Sequence, residues 1–306
     1  MTARALSAEE GARLRRLATA ASVSVAALLI AVKLAAWIMT DAVSLLSSLI
    51  DSSVDLMASV VTLLGVRTAL KPPDRSHRYG HGKAEPLAAL VQAAFILGTG
   101  VILAYEALRR LFEPQLPTEP LTGIAVMAFS IVVTLALVAF QRHVVRRTAS
   151  LAIGADSLHY RGDALMNAAV IAALALTAWS GWPYFDPIFG LGIAAFLAHG
   201  ARRIALDALD VLMDRELPRD DRERIRAIVL AHPGAQGLHD LRTRHGGTGA
   251  FIELHLELDG AQTLADAHHI TDEIEQRLRA AFPGAEIMLH QEPHGLVDER
   301  LDHRLG

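Results

Sequence analysis

The sequence predicts an α-helical membrane protein, six transmembrane helices followed by a cytoplasmic α/β, ferredoxin-like domain of the metallochaperone type. Three observations carry that expectation. The chain of 306 residues is 52% hydrophobic and only 20% charged, and its mean hydropathy is +0.32, values that soluble domains rarely combine. Two stretches, Pro86–Tyr105 and Leu121–Phe140, reach membrane-spanning length without a single charge. The composition then changes: residues 1–214 hold 16 acids and 18 bases, residues 215–306 hold 17 acids and 11 bases, and nine of the 14 histidines lie in that tail. The expected domains are therefore residues 1–214 in the membrane and residues 215–306 outside it.

Four more spans follow from the same criterion. Leu17–Met39 carries one charge, Lys33, which reads as a snorkelling or paired side chain with no assigned chemistry. Ala42–Val66 carries Asp51 and Asp55, Ser150–Trp179 is polar in its first half, and Tyr184–Ala208 turns amphipathic after Gly200. The first apolar run is too long for a signal-peptide core, so no cleavage is expected. Arginine and lysine cluster at residues 4–16, 67–83 and 142–147, against only Arg109 and Arg110 on the other side. By the positive-inside rule both termini are cytoplasmic. The loops around Thr40–Asp41, Glu113–Pro120 and Gly181–Pro187 then face outward. Gly98, Gly100, Gly190 and Gly192 are expected where helices pack closely.

In the tail, Arg219–Ala231 suits a helix with Asp220 and Asp221 in its first turn. Leu238–Arg244 and Phe251–Leu258 alternate as strands, separated by Gly246, Gly247 and Gly249. Ile252, Leu254, Leu256 and Leu258 share one face; Glu253, His255 and Glu257 take the other. Leu264, Ile270, Ile274 and Leu278 give a helical stripe, and Glu286–Gln291 a last strand.

The net charge of −4 offers no basic excess for nucleic acid. The absence of cysteine excludes disulfides, thiolate zinc sites and a cysteine nucleophile. No HExxH, GxSxG or Walker loop is present. What remains is polar chemistry inside the apolar half. Asp51 and Asp55 are four apart, so on a helix they share a face, as do His159 and Asp163. Counted from the span ends at about 1.5 Å per residue, Asp51 and His159 each lie about 13 Å deep. Both pairs thus sit near the middle of a core about 30 Å thick, where they must face the bundle interior. Three carboxylates and an imidazole suit tetrahedral Zn²⁺ and tolerate Fe²⁺ or Cd²⁺. Either pair alone reads as well as a structural polar cluster or metal-free proton relay as it does as a metal site; two pairs at one depth favour a cation.

Two further sets are weaker. The cytoplasmic loop holds Asp74, His77 and His81 at ligand-compatible spacing, yet on composition alone it reads as a solvated loop. In the tail, His239 and His255 lie on strands, His268 on the helix, and His290 and Glu292 at the end of the last strand, a set that reads either as a metal site or as surface histidine. His232 reads as a helix stop. His245, His294 and His303 are loop or terminal residues, and His269 is compatible with either role.

Taken together, Asp51-Ser-Ser-Val-Asp55, the loop from Asp74 through His77 and His81 to Glu85, His159-Tyr-Arg-Gly-Asp163, and the strings beginning at His239 and His290 resemble the cation diffusion facilitators, most closely the bacterial zinc and ferrous-iron efflux group. The resemblance covers nearly the whole chain. It implies a homodimeric, proton-coupled exporter of Zn²⁺, Fe²⁺ or Cd²⁺ in the bacterial inner membrane, acting on ions, protons and lipid surroundings rather than on nucleic acid, and not an enzyme. It implies a transport site at Asp51, Asp55, His159 and Asp163, a loop site at Asp74, His77 and His81, and a binuclear tail site drawing on His239, His255, His268, His290 and Glu292. Zn²⁺ would be both cargo and a structural ion. Glu292 stands where the family usually has aspartate. Lys83 and Asp214 match a pair that helps lock the dimer. The alternatives are a membrane metalloenzyme, which lacks an obvious spare base, and a membrane-bound metal sensor or storage protein without transport.

Overall fold

A computed structural model of the chain describes residues 7–40, 43–113, 121–247 and 249–295. Asp41, most of the proline-rich loop 113–120 and His303 lie outside the described residues. The chain forms two compact units, residues 1–74 with 84–209, and residues 75–83 with 210–306. The division differs from the expected 1–214 and 215–306 in one respect that matters below: the loop between the second and third helices belongs to the second unit.

The first unit consists of six helices, α1 (Ala8–Thr40), α2 (Val43–Ala69), α3 (Ala84–Phe112), α4 (Leu121–Thr148), α5 (Leu151–Ser180) and α6 (Phe185–Leu212). All six are long and apolar enough to cross a membrane. Their ends are written locally. Ser7 and Glu10 form a capping box at the start of α1, each side chain bonding the other's backbone N–H, at 3.2 and 2.9 Å. The Ser150 hydroxyl accepts from the Ile153 N–H at the start of α5. Gly181, at φ +71°, closes that helix in the left-handed conformation a side chain would oppose.

Small residues let the helices approach. A Cβ added to Gly65 on α2 would sit 2.3 Å from Ala88 Cβ on α3. Gly162 on α5 meets Leu197 of α6, and Gly200 of α6 meets Leu158 of α5. Of the four glycines expected at such places, Gly100 and Gly190 do face neighbouring helices, whereas Gly98 and Gly192 face open space.

The second unit contains α7 (Arg219–Leu230), β1 (Gly237–His245), β2 (Ala250–Leu258), α8 (Leu264–Ala281) and β3 (Glu286–Pro293). The sheet order is β1-β2-β3, with β1 antiparallel and β3 parallel to β2. The parallel step requires a crossover, which α8 supplies. Ile252, Leu254, Leu256 and Leu258 are buried against Ile225 and Val229 of α7 and Ile274 and Leu278 of α8, so both helices cover one sheet face. The loop 75–83 packs at one end of this unit. Tyr79 meets Phe251 edge-on, with ring centroids 5.7 Å apart. The Arg244 guanidinium lies over both rings, at 5.2 and 4.4 Å. Lys83 pairs with Asp214 at 2.8 Å. Gly247, at φ +91°, leaves no room for a side chain: a Cβ would fall 2.2 Å from the Gly82 carbonyl oxygen.

Candidate metal centres

In the helical unit, α2 and α5 present the charged pairs to each other. His159 Nε2 lies 2.8 Å from Asp55 Oδ1 and 3.9 Å from Asp163 Oδ2. One ligand atom from each of the three falls within 4.8 Å of the others. The His159 side chain is 5% exposed, so the group is interior chemistry rather than a surface ion pair. The structure does not bring Asp51, the fourth expected ligand, into this group. It lies one turn before Asp55 on α2, exposed, and outside the group.

The same stretch of α5 carries a group that sequence reasoning did not single out. Asp156 is 1% exposed. Its carboxylate accepts from Ser22 Oγ at 2.6 Å, from Gln141 Nε2 at 2.7 Å and from Ser59 Oγ at 3.3 Å. Tyr160 shares a 2.8 Å hydrogen bond with the same Ser59. This neutral shell ties α5 to α1, α2 and α4 beside the turn that carries His159 and Asp163. The available signal was an acidic residue inside an apolar span without a basic neighbour.

In the second unit the strand register builds the site. His239 on β1 pairs opposite His255 on β2, which pairs opposite His290 on β3. The three imidazoles form a row, with centroids 4.9 and 4.8 Å apart. Glu292, two residues beyond His290 and hence on the same face, reaches back into the row. Its Oε2 is 3.0 Å from His239 Nε2, and its Oε1 is 2.7 Å from His255 Nδ1 and 3.4 Å from His290 Nε2. A bulge at Asp240, with φ +48°, follows His239 and interrupts the register. Glu257 lies alongside, buried, taking 2.7 Å from His294 Nδ1 and standing 3.8 Å from His239 Nε2. Neither Glu257 nor His294 was expected here, because His294 lies beyond the last expected strand.

His268 is not brought into this row. It is exposed and 3.7 Å from Asp272, apart from the cluster. The reason is rotational: Ala267 and Thr271 take the buried positions of α8, one residue turns the helix by about 100°, and α8 covers the sheet face opposite the histidine row. His232 behaves as a structural cap. Its Nδ1 accepts from the Gly234 N–H at 3.1 Å, which leaves Nε2–H to donate to Glu273 at 2.9 Å. That bond holds the Glu273 carboxyl below its usual range. On the loop, His77 and His81 have ring centroids 4.5 Å apart; Asp74 precedes them as the last residue of the first unit's opening segment.

Asp214 binds Lys83 at 2.8 Å and Arg244 at 3.4 Å within one chain. Burial pushes its carboxyl up, but these two cations more than reverse it, leaving it below the ordinary carboxylate range.

Known proteins resemble the chain over nearly its whole length. Residues 19–213 match the model of the cation efflux transmembrane domain, and residues 217–294 that of the cation efflux protein cytoplasmic domain. The chain is 47% identical over 294 residues to the cation-efflux pump FieF of Pectobacterium atrosepticum, covering 96% of this chain and 98% of that protein. It is 44% identical over 288 residues to FieF of Serratia proteamaculans, covering 94% and 96%. Among solved structures, the metal-bound C-terminal domain of the CzcD transporter from Thermotoga maritima is 30% identical, covering 27% of this chain and all of that one, with a TM-score of 0.25. The cytosolic domain of a cation diffusion facilitator family protein is 31% identical, covering 25% and 93%, with a TM-score of 0.24.

Proposed function

Since the chain belongs to the cation efflux family, whose members transport divalent metals across membranes, we propose that it is a proton-coupled antiporter that exports Zn²⁺, and also Fe²⁺ or Cd²⁺, from the cytoplasm. The observation that carries this reading is the hydrogen-bonded group of Asp55, His159 and Asp163 on two apolar helices. His159 Nε2 and Asp55 Oδ1 lie at hydrogen-bonding distance where a divalent ion would be shared. Binding the ion requires neutral imidazole and ionised carboxylates, so loading releases protons and protonation expels the ion. Asp51, on a flexible side chain one turn away, is the fourth ligand in this scheme. Zn²⁺ fits the mixed oxygen and nitrogen donors. The histidine also argues against a hard-ion site of oxygens alone.

The remaining assignments follow the same chemistry. The chain resides in the bacterial inner membrane, and its distribution of arginine and lysine supports a cytoplasmic position for both termini. The row of His239, His255 and His290 with Glu292 binds metal on the sheet face that α7 and α8 leave uncovered. His268 stands apart from that row, exposed beside Asp272. Asp74, His77 and His81 form a further site on the loop.

Counterflow in sealed proteoliposomes tests the reading. Zn²⁺ accumulation should follow an imposed pH gradient and collapse when the gradient is dissipated. Asp163→Ala should abolish uptake while the protein remains folded and dimeric on size exclusion. Uptake indifferent to the gradient removes the antiport, and normal uptake by Asp163→Ala removes the site.

A further inference from the structure

Lys33 is the one charge in the apolar stretch 17–39, and it does not snorkel. It is 8% exposed. Its ammonium donates to Ser52 Oγ at 2.6 Å and to the Ser48 carbonyl at 3.2 Å. Both acceptors are neutral, and Lys33 makes no direct ion pair among the described residues. An ammonium held inside an apolar bundle by two neutral oxygens needs a countercharge nearby. Asp51, Asp55 and Asp163 all lie within electrostatic reach of it.

The anchor has a definite position. Ser48 and Ser52 flank Asp51 on α2, and Ser52 is one turn before Asp55. A small cavity of about 20 Å³ beside Lys33 is also lined by Ser130 and Asn167, and Asn167 is one turn beyond Asp163 on α5. The ammonium therefore sits behind the carboxylates without joining them as a donor. Three ionised carboxylates around a divalent ion leave one negative charge, and a single fixed cation cancels it. In a low-dielectric interior a neutral loaded site is the favoured one.

We propose that Lys33 is the fixed countercharge of the cation site. It makes the loaded site neutral for a divalent ion and keeps three carboxylates from holding the ion too tightly to release. The proposal rests on the reading of Asp51, Asp55, His159 and Asp163 as the cargo site.

Zn²⁺ transport kinetics of the full-length protein in proteoliposomes test it. Lys33→Met and Lys33→Gln remove the charge, and Lys33→Arg keeps it. The neutral variants should show a KM lowered about tenfold together with a kcat lowered about as much, because release becomes slow. The arginine variant should stay within about twofold of the parent on both. Neutral variants that lose kcat with KM unchanged or raised would overturn the countercharge, as would an arginine variant that behaves like methionine. If the neutral variants do not assemble, Ser52→Ala decides. By freeing the ammonium it should lower KM in the same direction by a smaller factor, and an unmoved KM counts against the proposal. Asp163→Ala is run alongside. Full uptake by that variant overturns the cargo site itself, whereas its loss with an unshifted KM in the Lys33 series overturns only the countercharge.

Discussion

At the scale of single residues, the chemistry of the membrane site turns on one imidazole. His159 is the one nitrogen donor in the group with Asp55 and Asp163. Replacing it with aspartate gives an all-oxygen set, harder and better matched to Mn²⁺ than to Zn²⁺. His159→Asp should therefore transport Zn²⁺ less well and gain relative activity towards Mn²⁺ in vesicle uptake. An unaltered ratio would show that His159 does not touch the cargo. The sequence exposed this residue because it lies four before Asp163 at the depth of Asp51 and Asp55. It concealed Asp156, three residues earlier, because a lone acid gives no periodic signal. Its role becomes visible only when Ser22, Ser59 and Gln141 arrive from three other helices. Lys33 was visible as a charge, but its burial against Ser52 depends on how α1 meets α2.

At the scale of elements, the spans were legible because length and hydropathy alone define them. The packing glycines were half legible. Gly65, Gly162 and Gly200 are decided by which side chain the opposing helix offers, and spacing along one helix does not contain that. The same limit explains His268, whose distance from the histidine row depends on which sheet face α8 covers. The link between loop 75–83 and the strand end can be tested through Asp214. Its backbone is left-handed at φ +58°, which asparagine tolerates, so Asp214→Asn removes the charge with little backbone strain. Because the folded carboxyl lies below its usual range, its contribution to stability is present above the unfolded value of about 3.9. It is lost as pH falls through the folded value. Asp214→Asn should lower the melting temperature of the second unit at neutral pH, and the two melting curves should converge as the pH drops below about 4. A constant gap across that range would show that the ion pairs with Lys83 and Arg244 contribute nothing.

At the scale of the whole molecule, the tail of residues 215–306 carries a net charge of −6 with neutral histidines. Two copies brought together repel one another, and metal bound at the histidine rows cancels part of that charge. Zn²⁺ should therefore tighten the dimer and raise the melting temperature of its soluble part. The stabilisation is about 2.7 kcal/mol per site when free metal exceeds the dissociation constant a hundredfold. It should weaken in acid as the imidazoles take up protons. Calorimetry on the full chain with and without Zn²⁺ measures this, with Glu292→Ala as the control. A metal shift that survives the loss of Glu292 would place the stabilising ion elsewhere, on the loop or in the membrane. The division of the chain into two units has one more consequence, which concerns biosynthesis. Tyr79 leaves the ribosome about 165 residues before Arg244, its stacking partner. At roughly 5–20 residues per second the interval is about 8 to 33 s. For that time α2 and α3 can already be inserted while residues 75–83 between them wait for a platform not yet translated. The second unit therefore cannot close around this loop during synthesis of the membrane helices, and its completion is necessarily among the last events in the making of the protein.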